Sequence, residues 1–290
     1  MSKQTQLHEF TNTTRSEPSL RYWSAGTRGS RVLLLMGYGM RGDIWAPQIR
    51  GLRETHQLAW FDNRGIGESP RGTKSRWTME DMARDALGVM DSLGWERCHL
   101  VGVSMGGMVA QELALVSPER LCSLSLIVTH AGGYTLQKLP TLKGMRKFLS
   151  VNRRGKERRL EALKALLYPP EYLAEADRNE LTKQMKLRLG RSLPKSTVLG
   201  QLSAITRHDT RQRLGQVTVP TLIIKAGKDI LIRPRASDRL HKLIPGSSLI
   251  EIADAGHGVI FQSAALVNQA LAEHFAAAES WAHRRPSWCS

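Results

Sequence analysis

Gly102-Val103-Ser104-Met105-Gly106-Gly107 is the stretch on which the reading of this chain turns. It directly follows an apolar run at 98–103 and directly precedes a helical run at 108–115, the setting in which G-x-S-x-G makes a sharp strand-to-helix turn. A serine in such a turn takes strained backbone angles, and residues two positions away crowd the chain unless they lack a Cβ. Gly102 and Gly106 meet that need. The turn lifts the hydroxyl above a sheet and aims the first amides of the next helix, beginning with Met105, at the space beside it, where they can stabilise an oxyanion. Glycine-rich turns of this pattern also arise by chance, so the reading depends on what else the chain supplies.

A serine is a weak nucleophile and needs a base, which in turn needs an orienting carboxylate. The apolar run 221–226 leads into Gly227-Lys228-Asp229, which places Asp229 on a loop at the carboxyl end of a strand. Ala255-Gly256-His257-Gly258 follows the run 248–252 and places His257 on a second loop at the same sheet edge, where open α/β sheets hold their sites. The flanking glycines predict little backbone crowding around His257. Of the other histidines only His130 follows a strand, and it is assigned a pocket-lining or structural role. Asp254, three residues before His257, would have to fold back along its own loop, so Asp229 is the expected partner. Behind the run 31–36, Met36-Gly37-Tyr38-Gly39 should bring a second oxyanion donor, the amide of Tyr38.

Outward from these motifs, short apolar runs at 31–36, 57–61, 98–103 and 124–129 alternate with helical stretches, a βαβ rhythm that implies a parallel sheet. A helix is expected over 78–93, with Thr78 capping against Asp81 and Gly94 closing it. Strand rhythm stops over 131–215. There Leu160, Leu163, Leu166 and Leu167 mark one amphipathic helix ended by Pro169 and Pro170, and Leu181, Met185 and Leu189 mark another before Gly190. It resumes at 221–226 and 248–252, and a helix over 261–279 ends the fold. The expected architecture is an α/β core of residues 1–130 and 216–290, interrupted by a helical insertion at 131–215.

The insertion is also basic. The 290 residues carry 42 Lys and Arg against 26 Asp and Glu, a net +16, and residues 131–215 hold 19 of the cations with only 7 acids, a net +12. Such density can bind nucleic acid or an anionic membrane surface, but single-strand binders interleave aromatics, and here only Tyr134, Phe148, Tyr168 and Tyr172 are present. A solvated face is the expectation, with no nucleic-acid partner. At 41% apolar the chain can bury a sizeable core. Its three cysteines, Cys98, Cys122 and Cys289, have no CxxC spacing and encode neither a disulfide framework nor a thiolate site. No HExxH occurs, so neither metal nor cofactor is expected. The first ten residues lack the apolar run of a signal peptide, and no stretch approaches a membrane span, so a cytoplasmic protein is expected.

Taken together, Met36–Gly39, FDNRGIGES at 61–69, GVSMGG, GKD and GHG resemble the α/β-hydrolase fold over about residues 20–276. GVSMGGMVAQELAL at 102–115 is most similar to small bacterial carboxylesterases and lactonases of the 3-oxoadipate enol-lactonase and aclacinomycin methylesterase groups. The resemblance implies a serine nucleophile with Asp and His partners and a helical cap over the pocket. Where many relatives carry a histidine before the oxyanion glycine, this chain has Met36, which leaves the backbone donor intact. The Asp62–Gly67 turn resembles a structural loop of the family and is assigned no catalysis. Gly37-Tyr38-Gly39-Met40-Arg41-Gly42 is also a literal GxGxxG, with Asp62 beyond it, as in dinucleotide-binding units. A helix opening at its second glycine would bury Pro47 in its interior at about 3 kcal/mol, whereas Asp43 is the better expected cap with Pro47 in the first turn. The expected activity is hydrolysis of a small carboxylic ester or lactone through an acyl-enzyme. Amide hydrolysis, C–C bond hydrolysis, perhydrolysis and acyl transfer share the same three residues and stay open.

Overall fold

A strand that is apolar on both faces must be covered on both faces, and the apolar runs of this chain form such strands. The computed structural model describes residues 8–74, 76–133, 140–151, 156–188 and 193–283. Its strands are β1 (Phe10–Thr13), β2 (Arg21–Ala25), β3 (Arg31–Leu35), β4 (Gln57–Phe61), β5 (Cys98–Val103), β6 (Leu121–Ile127), β7 (Thr221–Ala226) and β8 (Ser248–Ile252). They form one sheet in the order β1-β2-β4-β3-β5-β6-β7-β8. Neighbours from β4 to β8 are parallel, while β1 and β2 add an antiparallel ribbon at one edge. The six expected strands are present, although the fourth runs over 121–127 instead of 124–129. The ribbon has no signal in the apolar pattern, because all four residues of β1 are exposed and carry no apolar alternation.

Helices cover both faces. The core helices are α1 (Ala46–Leu52), α2 (Met79–Ser92) and α3 (Met105–Val116), then α9 (Arg235–Leu243), α10 (Val259–Gln262) and α11 (Ala264–His283). Between them lie α4 (Leu142–Val151), α5 (Lys156–Leu167), α6 (Pro170–Glu175), α7 (Arg178–Arg188) and α8 (Lys195–Arg207). Leu33 and Leu35 pack with Met82, Ala86 and Met90 of α2 and Val109 and Leu113 of α3. Their neighbours Val32 and Leu34 point the other way, into a second core with Ile49 and Leu52 of α1 and Leu271 and Phe275 of α11. The α/β-hydrolase architecture expected from the motifs is therefore present, with a mostly parallel sheet between two helical layers.

The local expectations divide. The 3.0 Å bonds between the Thr78 and Asp81 side chains and each other's backbone N–H form the capping box, and Gly94 ends the segment at φ 65°. Asp43 does not cap α1: it lies inside a 3-10 turn, Gly42–Trp45, and the cap position is Trp45, with Pro47 in the first turn as expected. Helix α1 opens beyond Gly42, which instead starts the 3-10 turn and approaches the Phe61 carbonyl, so the GxGxxG glycines do not sit at an α-helix N-terminus. The helix expected over 261–279 breaks at Ser263 into α10 and α11.

In place of two helices over 131–215 there are five among the described residues; the leucine-marked helix does end at Leu167, just before Pro169, and Pro170 then opens α6, where its missing N–H costs nothing. Leu160, Leu163, Leu166 and Met185 bury together, and Met40, Ile230, Leu231 and Phe261 from the core pack against them. Leu189, Gly190, Tyr134, Arg153, Arg154 and Cys289 lie outside the described residues.

The loop that follows β4 is tied to α2 by a buried ion pair, with Arg64 Nε and Nη2 donating to Asp85 at 2.6 and 2.7 Å. Burial pushes the Asp85 carboxyl upward and the guanidinium opposes that push. Arg64→Met would leave the carboxylate buried without its partner, so stability should drop by about 3–5 kcal/mol, read as a lower urea midpoint. A midpoint within experimental error of the parent would show that the pair contributes nothing.

Candidate active site

The Ser104 backbone sits at φ 55° and ψ −120°, a conformation that side chains rarely adopt, at the junction of β5 and α3. The surroundings hold it there. Its N–H donates to the Ile127 carbonyl at 2.9 Å, and its carbonyl accepts from Thr129 Oγ1 at 2.7 Å and from the Gly107 N–H at 3.0 Å. A Cβ on Gly102 would lie 2.4 Å from the Gly106 carbonyl oxygen, and one on Gly106 would lie 2.2 Å from the Leu35 carbonyl oxygen. Both glycines are thus required by close backbone approach, as the motif implies.

The loops after β7 and β8 bring the other two residues to this turn. His257 Nε2 is 3.0 Å from Ser104 Oγ, and His257 Nδ1 is 2.7 Å from Asp229 Oδ2. Asp229 is 3% exposed and His257 8%, so the relay is shielded from water. The second carboxylate oxygen of Asp229 accepts the N–H groups of Leu231 and Ile232 at 2.8 and 2.9 Å, which fixes the carboxylate plane. With Asp229 ionised, the Nδ1 position favours the proton and leaves Nε2 as the lone pair facing Ser104 Oγ. Asp254 takes no part: its side chain is 89% exposed and pairs with Lys228 at 3.1 Å. His130 is buried and accepts the Gly132 N–H on Nδ1 at 2.9 Å, a structural role.

The glycines beside His257 serve a purpose other than the expected one. A Cβ on Gly256 would meet the Leu167 carbonyl oxygen at 2.5 Å, and one on Gly258 would meet the Tyr168 ring at 2.6 Å. The Gly258 N–H donates to the Leu167 carbonyl at 2.8 Å. The loop is crowded by the end of α5, and glycine is what lets the two chains touch.

The loop after β3 passes directly beside Ser104, since a Cβ on Gly37 would lie 3.2 Å from the Ser104 Cβ and 3.7 Å from its Oγ. Gly37 therefore lies against the Ser104 side chain, and Met105 opens α3, so its N–H precedes any intrahelical acceptor. Asn63 Nδ2 donates to the Met36 carbonyl at 3.0 Å and Asp62 Oδ1 accepts the Gly42 N–H at 2.7 Å, so the 62–69 turn braces both ends of this loop. Burial pushes the Asp62 carboxyl up to about 6, against the opposing pull of that N–H and of Arg41. Gln262 braces the histidine loop by accepting from the Gly256 N–H at 3.0 Å and donating to the Asp254 carbonyl at 2.8 Å. Asn63 belongs to the Asp62–Gly67 turn that the sequence marks as structural, whereas the bracing side chains Thr129 and Gln262 carry no motif of their own. Among the described residues no group of three His, Cys, Asp or Glu side chains is placed to hold a metal ion, and no helix is long and apolar enough to cross a membrane.

A parallel sheet with a serine on a strained strand-to-helix turn and a histidine-aspartate pair on later strand ends defines a class, and the comparisons agree with it. The family model of the alpha/beta hydrolase fold matches residues 30–264, and the chain belongs to that family. It is a hydrolase. A protein of Azorhizobium caulinodans named "Putative carbamate hydrolase RutD" is 31% identical over 245 residues, covering 81% of this chain and 87% of that protein. One of the same name from Variovorax paradoxus is 30% identical, covering 86% of this chain and 92% of its own length. Among solved structures, the enol-lactonase of Burkholderia xenovorans superposes with a TM-score of 0.78 at 21% identity, over 92% of this chain and all of that one. A thermophilic esterase of Thermogutta terrifontis gives 0.76 at 25% identity, over 93% and 98%.

If close approach is what fixes the elbow, Gly106→Ala should lower both soluble yield and the urea midpoint, because its Cβ would lie 2.2 Å from a carbonyl oxygen. Gly215→Ala, where a Cβ meets nothing within 4 Å, should be neutral or slightly stabilising. Equal midpoints for the two variants would contradict this account of the turn.

Proposed function

We propose that the chain hydrolyses a small carboxylic ester or lactone through an acyl-enzyme on Ser104. The observation that carries this reading is the unbroken line from Ser104 Oγ through His257 to Asp229, at 3.0 and 2.7 Å. Ser104 Oγ adds to the carbonyl carbon while its proton passes to His257 Nε2. Asp229 holds the imidazole and stabilises the imidazolium. The amides of Tyr38 and Met105 receive the oxyanion, and His257 then gives its proton to the departing alkoxide. Water repeats the sequence: His257 takes its proton, the hydroxyl oxygen joins the acyl carbon, and the acid departs as Ser104 recovers its hydrogen. A serine gives an acyl ester, so the reading excludes the alkyl-ester chemistry that a carboxylate nucleophile would support.

Residues 131–215 act in this reading as a cap over the pocket, supported by the packing of Leu160, Leu163 and Leu166 against Met40, Ile230 and Phe261. The partner is a small molecule, not a nucleic acid. The names of the relatives add a carbamate carbonyl to the candidate substrates, and the same three residues would serve it.

Ser104→Ala should lower kcat by about 10⁴ to 10⁶ with the far-ultraviolet circular dichroism unchanged. Asp229→Asn should cost far more activity than Asp254→Asn; the reverse order would remove Asp229 from its role. A panel of p-nitrophenyl esters of increasing chain length, with lactones, alkyl carbamates and aminoacyl amides beside them, fixes the substrate class. Turnover of the amides alone would overturn the ester reading.

A further inference from the structure

Thr141, the residue before α4, uses its hydroxyl in two directions. Its Oγ1 accepts the Gly144 N–H at 3.0 Å while its carbonyl accepts the Met145 N–H at 2.8 Å, the pattern of a helix N-cap. The same hydroxyl donates to the Ile230 carbonyl at 3.1 Å, and the Thr141 N–H donates to that carbonyl at 3.0 Å. Capping needs only an acceptor, which an ionised aspartate supplies equally well; the bond to Ile230 needs a side-chain donor, which an aspartate lacks. Opening α4 therefore does not account for the second bond. A Cβ on Gly144 would lie 2.0 Å from the Ile230 carbonyl oxygen, so the first turn of α4 closes on that carbonyl with no room for a side chain. Arg233 Nη2 ties the same two segments again by donating to the Pro140 carbonyl at 3.4 Å.

What this grip does follows from the place of Ile230 in the chain. Ile230 directly follows Asp229, and its C=O and the Leu231 N–H are the two ends of one planar peptide. The N–H end donates to Asp229 Oδ1 at 2.8 Å, joined there by the Ile232 N–H at 2.9 Å, while Asp229 Oδ2 is 2.7 Å from His257 Nδ1. The start of α4 thus holds the oxygen end of the peptide whose hydrogen end orients the carboxylate. Because the peptide is rigid, a rotation of one end carries the other with it. Two donors on the oxygen also polarise the unit and strengthen the N–H bond to Asp229.

We propose that Thr141 is a positioning residue for the hydrolytic reaction: by holding the Ile230–Leu231 peptide it sets the plane of the Asp229 carboxylate against His257. Its action runs through Asp229, so the first helix between β6 and β7 contributes to proton transfer at His257 whatever acyl group the substrate carries. This rests on the reading of Ser104, His257 and Asp229 as nucleophile, base and orienting acid, and extends it to a fourth side chain.

The test follows Thr141→Val, Thr141→Asp and Thr141→Ser on p-nitrophenyl acetate, butyrate and hexanoate, with the urea midpoint reporting folding separately. Thr141→Val removes both the cap and the donor, whereas Thr141→Asp keeps the cap and removes the donor alone. Thr141→Asp should lower kcat about tenfold with KM changed less than about twofold, equally for all three esters, as expected of a group that orients a reacting side chain. Thr141→Ser, which keeps the hydroxyl, should recover the parental kcat. The downfield proton resonance of His257 Nδ1–H, a signature of its bond to Asp229, should move or broaden in Thr141→Asp and not in Thr141→Ser. Parental kcat in Thr141→Asp, with or without a loss in Thr141→Val, overturns the proposal by leaving Thr141 a helix cap only. So does a loss confined to KM, a loss that depends on acyl length, or an unmoved resonance in a variant of lowered kcat. Parental activity in Asp229→Asn would instead show that the hydrolytic reading itself has failed, whereas an inactive Asp229→Asn beside a fully active Thr141→Asp would overturn this inference alone.

Discussion

The structure depends on holding one serine at a backbone angle it would not choose. At φ 55° Ser104 resists the turn, and the restraint comes from the sheet: the Ile127 carbonyl takes its N–H, and Thr129 and Gly107 donate to its carbonyl. Strain of this kind costs on the order of 1–3 kcal/mol and persists only where packing over-determines it. The over-determination is visible in β5, all six of whose residues are buried, and in α3, which is buried almost along its whole length. Two glycines then let the helix start close enough to β3 that the loop after β3 passes beside the hydroxyl. The elbow and the approach of the loop after β3 are thus consequences of one crowded junction.

How much of this could be read in the sequence follows from which signals are local. The parallel strands are apolar on both faces, so they stand out as short continuous runs, and the capping box of α2 is complete within four residues. Ser104, Asp229 and His257 were legible because each sits at a strand end in a glycine-marked turn, an arrangement that the chain order alone reveals. What escaped was set by partners far away in sequence. The edge strand β1 pairs by backbone alone and has no buried face to announce it. The glycines around His257 were legible as special but misread, because their reason is the end of α5, about ninety residues earlier. Asp43 looked like a cap, yet the preceding 3-10 turn absorbed it.

The insertion shows the same limit more sharply. Its leucine stripes marked a helix that buries one face, and Leu160, Leu163 and Leu166 do bury. Its charge is legible only as an average over 85 positions, and an average does not distinguish Arg158, which is exposed, from Arg159, which is half-buried. The insertion is joined to the loops around Ser104 and His257 by specific contacts: Gly258 to Leu167, Gly39 to Gln201, and Tyr38 to Phe148.

The central claim is that the restrained hydroxyl at the β5–α3 junction is the nucleophile. Treatment with a fluorophosphonate, followed by proteolysis and mass spectrometry, tests it most directly. The account predicts one adduct per chain, on Ser104, formed far more slowly when Asp229 is replaced by Asn. An adduct on another residue, or labelling of Ser104 at the same rate in the Asp229→Asn variant, would contradict it.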